Sequence, residues 1–283
     1  MRMDSVFPVC CIVLSGLGMD MTSRSYASPA GFMPNQRHNC LKTFEGCTKV
    51  FTDLLGLPPS YLGRNDFGMQ NLLCANDLPG SEDIDIPNCL TRLDNLTAYV
   101  KRTMDRNFHL QKAHPDYGHC EPMWRIASLV TSVKRDFGAC YDPVIRDEIA
   151  AGTSTSISDS SKMFINGLLA DDPKQRWGTC ASIPALITAV ARRLHYPVGL
   201  AVCGRHIYAK WEGRDGLCFN IEASNPMGVT FPTDDECKEK ISKHQIWKST
   251  SDNGYYIRTL HPAEELGLYL FHSCRMLDRR CSL

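Results

Sequence analysis

The sequence carries no excess charge of either sign, because 31 lysine and arginine residues balance 31 aspartate and glutamate residues. A neutral chain has no electrostatic reason to bind nucleic acid or an anionic membrane surface. The sequence also lacks a run of about 20 apolar residues, the length that a membrane-spanning helix requires. We therefore expect no nucleic-acid partner and no integral membrane segment. The 283 residues, 43% of them hydrophobic, are enough for one sizeable core or two smaller ones.

The sequence contains no Cys-x-x-Cys pair, although it has 14 cysteines. Their irregular spacing argues against a zinc ribbon and against a thioredoxin-type motif. Four potential metal ligands lie close together in the chain: His109, His114, His119 and Cys120. Pro115 and Gly118 prevent them from sharing a helical face, so we expect neither a metal nor a cofactor. A chain of this size needs no disulfide staples, and reduced cysteines acting as small hydrophobic residues are the better interpretation.

The amino-terminal 40 residues show no clear periodicity and are expected to form a poorly ordered leader. Val6–Gly18 is mostly apolar, and Ser25–Ala27 resembles a small-residue cleavage site, but the positive charge before them is weak. We expect a cytoplasmic protein. A secreted or periplasmic location is the alternative if residues 1–27 are a signal peptide.

Residues 41–161 are predicted to be mainly helical. One helix is indicated by an inward face that includes Ile86, Leu90, Leu93, Tyr99 and Val100, with a proline in its first turn. A second is predicted over Met123–Asp136 and ends near a glycine. The polar stretch at residues 152–161 is predicted to be a loop before the next region.

Residues 162–283 are predicted to alternate between helix and strand. The expected helices span 162–170, about 180–194 and about 263–277. The expected strands are Val198–Cys203, His206–Trp211 and Leu217–Ala223. A helical region followed by a helix packed on an antiparallel sheet is an α+β arrangement.

Three residues of this second region suggest nucleophilic catalysis. Cys180 falls in the predicted first turn of a helix, where free N–H groups and the macrodipole favour a thiolate. His206 begins one strand and can exchange a proton with the thiol. Glu222 lies on the next strand, on the polar face that it shares with Asn220, and either residue could orient the imidazole. Taken singly, each of these residues also has an ordinary structural interpretation.

The segments around these residues resemble those of a known superfamily. Arg176–Leu194 looks like the cysteine helix of the transglutaminase-like superfamily, and Pro197–Trp211 resembles its histidine strand. Phe219–Ala223 resembles its acidic strand. A weaker similarity over Leu72–Val100 resembles the helical module that precedes the core in some bacterial members. The resemblance implies a papain-like core at residues 162–283 with a Cys–His–acid triad.

The resemblance also implies an activity, namely thiol-dependent acyl transfer on an amide by a peptidase, an amidase or deamidase, or a transglutaminase-type enzyme. Cys180 would be the nucleophile, His206 the general base and Glu222 the orienting acid. The superfamily usually has aspartate at the third position, so Glu222 extends the reach by one methylene. Five further residues are candidates for a supporting role: Asn220, Gln175, Trp177, Thr179 and Arg205. The alternative is a non-catalytic module of the same fold that binds a protein or peptide.

A proline near Cys180 predicts an irregular start of the cysteine helix. In a helix beginning at Thr179, the nitrogen of Pro184 would have to donate to the Cys180 carbonyl, which proline cannot do. We expect a distorted first turn and regular bonding from about Pro184 onward, with Ser182 as a candidate cap.

Overall fold

The structure, a computed structural model, describes Leu54 and residues 59–151, 157–204, 206–224, 228–243 and 258–280. The expected leader with its signal segment, Arg205 and residues 152–156 of the polar loop lie outside the described residues.

The first region is helical, as the sequence predicts. Its helices are α1 (Pro59–Leu62), α2 (Phe67–Ala75), α3 (Ile86–Asn107), α4 (Glu121–Thr131) and α5 (Pro143–Ala150). The Asp85 side chain accepts a hydrogen bond from the Asn88 N–H at 3.0 Å and caps α3, with proline in the first turn. The buried face of α3 contains Leu93 and Val100. The prediction that Tyr99 belongs to the inward face of this helix is wrong, because Tyr99 is 39% exposed.

The predicted helix over Met123–Asp136 has two parts. Helix α4 continues into a π-helical segment at Ser132–Asp136, where the Phe137 N–H donates to the Ser132 carbonyl at 2.9 Å. Gly138 then adopts a φ of +87°, which ends the helix as the sequence predicts. The π-helical segment carries Lys134 towards the sheet, where its Nζ donates to the Ala223 carbonyl at 2.9 Å.

The strands form two small sheets. Strand β1 (Cys140–Tyr141) pairs in parallel with β2 (Trp177–Gly178). The main sheet is an antiparallel meander of β3 (Val198–Cys203), β4 (His206–Glu212) and β5 (Cys218–Ile221). All three main strands are predicted within two residues at each end, and a bridge from Glu222 to Thr230 extends the ladder beyond β5.

The helix expected at residues 162–170 is wrong. The chain instead forms a 3₁₀ turn at Ser160–Lys162 and a single turn of helix, α6, at Ile165–Leu168. Phe164 between them is extended, with φ −115° and ψ 167°. The Ile165 N–H donates to the side chain of Asn71 on α2 at 2.8 Å, so a tertiary contact replaces a helical hydrogen bond.

The cysteine helix, α7 (Ser182–Arg193), is buried along its first ten residues. Cys180 and Ala181 form a turn ahead of the helix, which begins at Ser182, two residues before Pro184, and the Ile183 N–H donates to the Thr179 carbonyl at 3.0 Å across this turn. The expectation that Cys180 lies in the helix itself is therefore wrong by two residues. The expected cap is also wrong, because the Ser182 hydroxyl donates to the Lys162 carbonyl at 2.8 Å and accepts from the Thr179 N–H at 2.9 Å.

Two more helices complete the described fold. Helix α8 (Asp234–Lys243) has no counterpart among the sequence predictions, whereas α9 (Pro262–Arg280) contains the predicted final helix. One hydrophobic cluster joins residues of both regions, including Leu93, Leu186, Leu200 and Tyr269. The architecture is a mixed helix-and-sheet, α+β arrangement centred on α7. Within the described ranges, no helix is both long and apolar enough to cross a membrane.

Candidate functional site

The turn that carries Cys180 is held by hydrogen bonds on both sides. The Thr179 hydroxyl donates to the Lys162 carbonyl at 3.0 Å and accepts from the Ala181 N–H at 3.2 Å. Gly178, just before the turn, approaches the following helix so closely that a Cβ there would lie 2.5 Å from the Ser182 hydroxyl oxygen. Only glycine fits that approach without a shift of the chain. These contacts hold the backbone of the turn on both sides of Cys180.

His206 and Glu222 meet across adjacent strands of the main sheet. His206 is the first residue of β4, and Glu222 follows the last residue of β5. The His206 Nε2 lies 2.5 Å from a carboxylate oxygen of Glu222, and each residue is 5% exposed. A charge-assisted hydrogen bond of this length in a buried site fixes the orientation of the imidazole ring.

Glu222 has further partners that stabilise its charge. The Ser224 N–H donates to its second carboxylate oxygen at 2.8 Å, and the Lys240 ammonium of α8 lies 3.2 Å from the first. Burial would raise the pKa of Glu222, but the charge and hydrogen bond of His206, with the charge of Lys240, lower that pKa well below its usual range. The carboxyl is therefore ionised at neutral pH.

The electrostatic environment keeps His206 protonated. Burial alone would lower the pKa of His206, but the charge of the Glu222 carboxylate, together with the neighbouring Cys180 side chain, outweighs it and raises the pKa to about 10. Nε2 is the ring nitrogen that binds Glu222. The structure thus pairs His206 with Glu222 and places Cys180 near enough to influence the imidazole.

Tyr141 joins this group, and the sequence analysis missed it. Its strand, β1, pairs with the segment that leads into the cysteine turn, and its side chain lies near enough to Cys180 to be influenced by it. Burial, followed by the Cys180 side chain, raises the pKa of Tyr141 far above its usual value. The hydroxyl therefore remains protonated beside the sulfur.

The other candidates for a supporting role lie elsewhere. The Asn220 amide donates to Asp234 at 2.8 Å and to the Pro232 carbonyl at 3.0 Å, so Glu222 and not Asn220 contacts the imidazole. Thr179 holds the cysteine turn, as described above. Gln175 is exposed in the 3₁₀ turn Pro173–Gln175, and Arg205 lies outside the described residues.

Trp177 lines an open cleft of about 560 Å³. The residues that line it are Thr131, Lys134, Arg135, Cys140, Tyr141, Pro143, Arg146, Trp177 and Gly228. Tyr141 and Trp177 come from the paired strands β1 and β2, and β2 ends two residues before Cys180. Pockets of 300–1,000 Å³ are typical of ligand sites, so the volume suits a peptide side chain or a small molecule.

The described cysteines and histidines form no metal site. Across the part of the chain that the structure describes, no group of three or more His, Cys, Asp or Glu side chains is placed to hold a metal ion. The described cysteines are free thiols, and the exposed ones among them are Cys140, Cys218 and Cys274. The site at Cys180 therefore consists of ordinary side chains.

Comparison of the chain with protein-family models, with curated proteins and with solved structures gave no match. The chemistry of the site is accordingly argued from its own geometry.

Proposed function

We propose that the protein catalyses thiol-dependent acyl transfer on an amide, with Cys180 as nucleophile, His206 as acid and base, and Glu222 as the orienting carboxylate. The observation that carries this proposal is the buried hydrogen bond of 2.5 Å between His206 Nε2 and the Glu222 carboxylate, with the Cys180 side chain near enough to influence the imidazole. A nucleophile, a base and a group that orients the base are the parts that such catalysis needs. An inert packing cysteine needs none of them.

In the proposed reaction, His206 takes the proton of the Cys180 thiol. The Cys180 sulfur attacks the amide carbonyl carbon, and the carbonyl oxygen becomes an oxyanion. His206 then gives its proton to the amine nitrogen as the C–N bond breaks, which leaves a thioester on Cys180. Water or an amine next attacks the thioester carbonyl while His206 accepts its proton, and the thiolate returns when the C–S bond breaks. The products are an acid or a new amide.

Tyr141 is suited to stabilise the oxyanion. Its hydroxyl lies near Cys180 and stays protonated. When the sulfur forms a bond to carbon it loses its negative charge, so the hydroxyl can donate to the new oxyanion, and the Cys180 N–H can do the same. Two donors converging on one oxygen make an oxyanion hole.

The proposed fold family is the transglutaminase-like superfamily, with a papain-like core. Three features support this proposal: the order cysteine, histidine and acid along the chain, the helix that directly follows the cysteine, and the antiparallel strands that carry the other two residues. Glu222 in place of the usual aspartate is compatible with the geometry, because its longer side chain reaches the imidazole.

The test of the proposed function is the reactivity of Cys180 at pH 6. An ordinary thiol with a pKa of about 8.5 is only about 0.3% ionised at this pH and alkylates slowly. We expect iodoacetamide to label Cys180 at least about 10-fold faster than the exposed Cys218 and Cys274 of the same chain. Labelled peptides are quantified by mass spectrometry over time.

The matched variant is His206→Ala, which removes the imidazolium while Cys180 keeps its turn. We expect the advantage of Cys180 over the two exposed thiols to disappear in this variant. If wild-type Cys180 labels no faster than they do, the catalytic proposal is wrong, and the alternative of a non-catalytic module that binds a protein or peptide takes its place.

A further inference from the structure

Helix α8 packs against the sheet through one side of its surface. Asp234, Cys237 and Lys240 follow one another at intervals of three residues, so they share that side. Asp234 accepts a hydrogen bond from the Lys210 ammonium of β4 at 3.1 Å, and Cys237 is buried in a small cluster with residues of β3 and β4. These two contacts hold the helix on the sheet about two turns and one turn ahead of Lys240.

The Lys240 ammonium reaches the same oxygen of Glu222 that binds the imidazole. This oxygen lies 2.5 Å from the His206 Nε2 and 3.2 Å from the Lys240 Nζ. The other oxygen of the carboxylate accepts from the Ser224 N–H at 2.8 Å. An ammonium and an imidazole therefore share one carboxylate oxygen, and their nitrogens are no further apart than these two short distances together.

Further ionisable groups of the described chain lie near His206 or Glu222: Lys134, Tyr141, Cys180, Tyr208 and Cys237. Burial raises the pKa of both phenols and of the Cys237 thiol, so these three groups are uncharged at neutral pH. The cations among the neighbours are Lys134, whose ammonium is held by the Ala223 carbonyl at 2.9 Å, and Lys240. Lys240 is of particular interest because it contacts the oxygen that His206 binds.

A cation at this oxygen acts against the proton on the imidazole. It offsets part of the negative charge that attracts the proton, and it repels the imidazolium directly. We propose that Lys240 is a positioning residue of the site, which acts through the shared Glu222 oxygen and limits how firmly His206 holds its proton. This inference rests on the proposed function, in which His206 has to give that proton to the leaving amine.

The direction of this effect suits the proposed reaction. His206 both gives and accepts a proton there, and a group does both best when its pKa lies near the working pH. The Glu222 charge is the main influence that raises the pKa of His206, and it raises it far above neutral. A cation on the same carboxylate moves the pKa back towards neutral while leaving the hydrogen bond that orients the ring in place.

The experiment follows the titration of His206 by the NMR shifts of the imidazole in histidine-labelled full-length protein. All variants carry Cys180→Ala, which removes the thiol that would titrate together with the ring. The signal of His206 is the one that His206→Ala lacks. Lys240→Met removes the ammonium and keeps a side chain of similar length. Because Lys240 is 46% exposed and its charge is partly screened, we expect the midpoint of His206 to rise by about 0.5–1 pH unit.

Two further variants separate the charge of Lys240 from its packing. Lys240→Arg keeps the positive charge and should restore the midpoint of the parent protein. Lys238→Met is the matched control, because it removes an exposed ammonium of the same helix that pairs with Asp235 at 3.1 Å. We expect this control to leave the midpoint of His206 unchanged. Thermal unfolding of each variant reports any loss of packing separately.

A second readout uses p-nitrophenyl acetate and the protein that retains Cys180. After the acylation burst, the steady-state rate depends on neutral His206 accepting a proton from water. We expect the pH midpoint of this rate to be higher in Lys240→Met by the same amount as in the titration, and to return in Lys240→Arg.

An unchanged midpoint in Lys240→Met overturns the inference, because the charge of Lys240 then does not reach the imidazole. A lower midpoint also overturns it, since Lys240 would then only hold the carboxylate in place. A midpoint that rises equally in Lys240→Met and Lys240→Arg excludes charge as the cause. Failure of the proposed function is distinguished from these outcomes by the labelling rate of Cys180 against Cys218 and Cys274 in the wild-type protein.

Discussion

Replacing Glu222 by glutamine removes the charge that stabilises the His206 imidazolium while preserving the size of the side chain. The amide oxygen of glutamine can still accept a hydrogen bond from Nε2, so the ring keeps an oriented partner. The contacts of the carboxylate with the Lys240 ammonium and the Ser224 N–H are weakened at the same time. The variant therefore tests the charge of the third residue rather than the presence of a side chain.

The magnitude follows from the pKa of His206. A rise from 6.5 to about 10 means that the folded protein favours the imidazolium over the neutral ring. This preference amounts to about 5 kcal/mol, the same order as the about 3–5 kcal/mol measured when a buried ion pair loses one partner. Without the carboxylate, burial is the largest influence left on the pKa of His206, and it lowers that pKa and favours the neutral ring. We expect turnover of an amide substrate to fall by about 10³-fold.

The assay is iodoacetamide labelling of Cys180 at pH 6 and at pH 9. Under the proposed function, we expect the wild-type protein to label Cys180 at similar rates at both values. In Glu222→Gln the rate at pH 6 falls at least about 10-fold, whereas the rate at pH 9 changes little because ordinary thiols are ionised there. Thermal unfolding of the variant checks that the protein is still folded.

The matched control is Asn220→Ala, on the same face of the same strand. The Asn220 amide binds Asp234 and the Pro232 carbonyl but not His206, so this variant should alter stability without altering the ratio of the two labelling rates. If Asn220→Ala lowers the rate at pH 6 and Glu222→Gln does not, our assignment of the orienting residue is wrong.

Three further results are expected. The His206–Glu222 pair should contribute fully to the free energy of unfolding between pH 4.5 and 6.5. Its contribution falls above this window because the pKa of His206 is raised, and below it because the pKa of Glu222 is lowered; urea denaturation across pH should lose this dependence in Glu222→Gln. Tyr141→Phe should slow the acylation burst with p-nitrophenyl acetate by about 10²-fold while changing iodoacetamide labelling of Cys180 less, since alkylation forms no oxyanion. Gly178→Ala should lower the free energy of unfolding by about 1–3 kcal/mol, measured by urea denaturation, because the added Cβ meets the following helix.

Each of these results can fail in a specific way. A stability profile of the same shape in wild type and Glu222→Gln would show that the pair does not account for the pH dependence. Equal loss of acylation and alkylation in Tyr141→Phe would indicate a role in holding the cysteine turn rather than in stabilising the oxyanion. A Gly178→Ala variant as stable as wild type would mean that the turn can shift.

The strands and the pairing of His206 with Glu222 could be predicted because their signals are local. The three main strands are short, mostly apolar segments separated by turn residues, and alternation along β5 places Glu222 on the face opposite the apolar Ile221. Register then brings Glu222 within reach of the first residue of β4. None of this depends on knowing how distant parts of the chain pack.

Tyr141 could not be predicted, because its place at the site depends on a long-range contact. It belongs to a two-residue strand that pairs with a segment more than 30 residues later, and two residues have no periodicity to detect. The helix predicted at residues 162–170, of which only α6 forms, was wrong for a similar reason. The Ile165 N–H donates to Asn71 of a remote helix instead of to a carbonyl of the predicted helix.

Helix α8, in contrast, has a local signal that the sequence analysis missed. Thr233 and Glu236 form a capping box: the Glu236 N–H donates to the Thr233 hydroxyl at 3.2 Å, and the Thr233 N–H donates to the Glu236 carboxylate at 2.7 Å. This pattern in the sequence predicts a helix start at the position where α8 begins. Had this signal been used to predict α8, Lys240 on that helix would have been a candidate partner for the acidic strand.

The alternation along β5 has a consequence for folding fidelity. Ile221 is fully buried in the core, while Glu222, the next residue, faces the imidazole from the opposite side of the sheet. A slip of one residue in the pairing of β4 with β5 would send the carboxylate into the apolar core and the isoleucine to the imidazole. The same error would thus cost stability and separate the proposed triad. A chain with this mispairing would therefore be both less stable and inactive. The labelling rate of Cys180 then also reports the fraction of molecules that have acquired the native register.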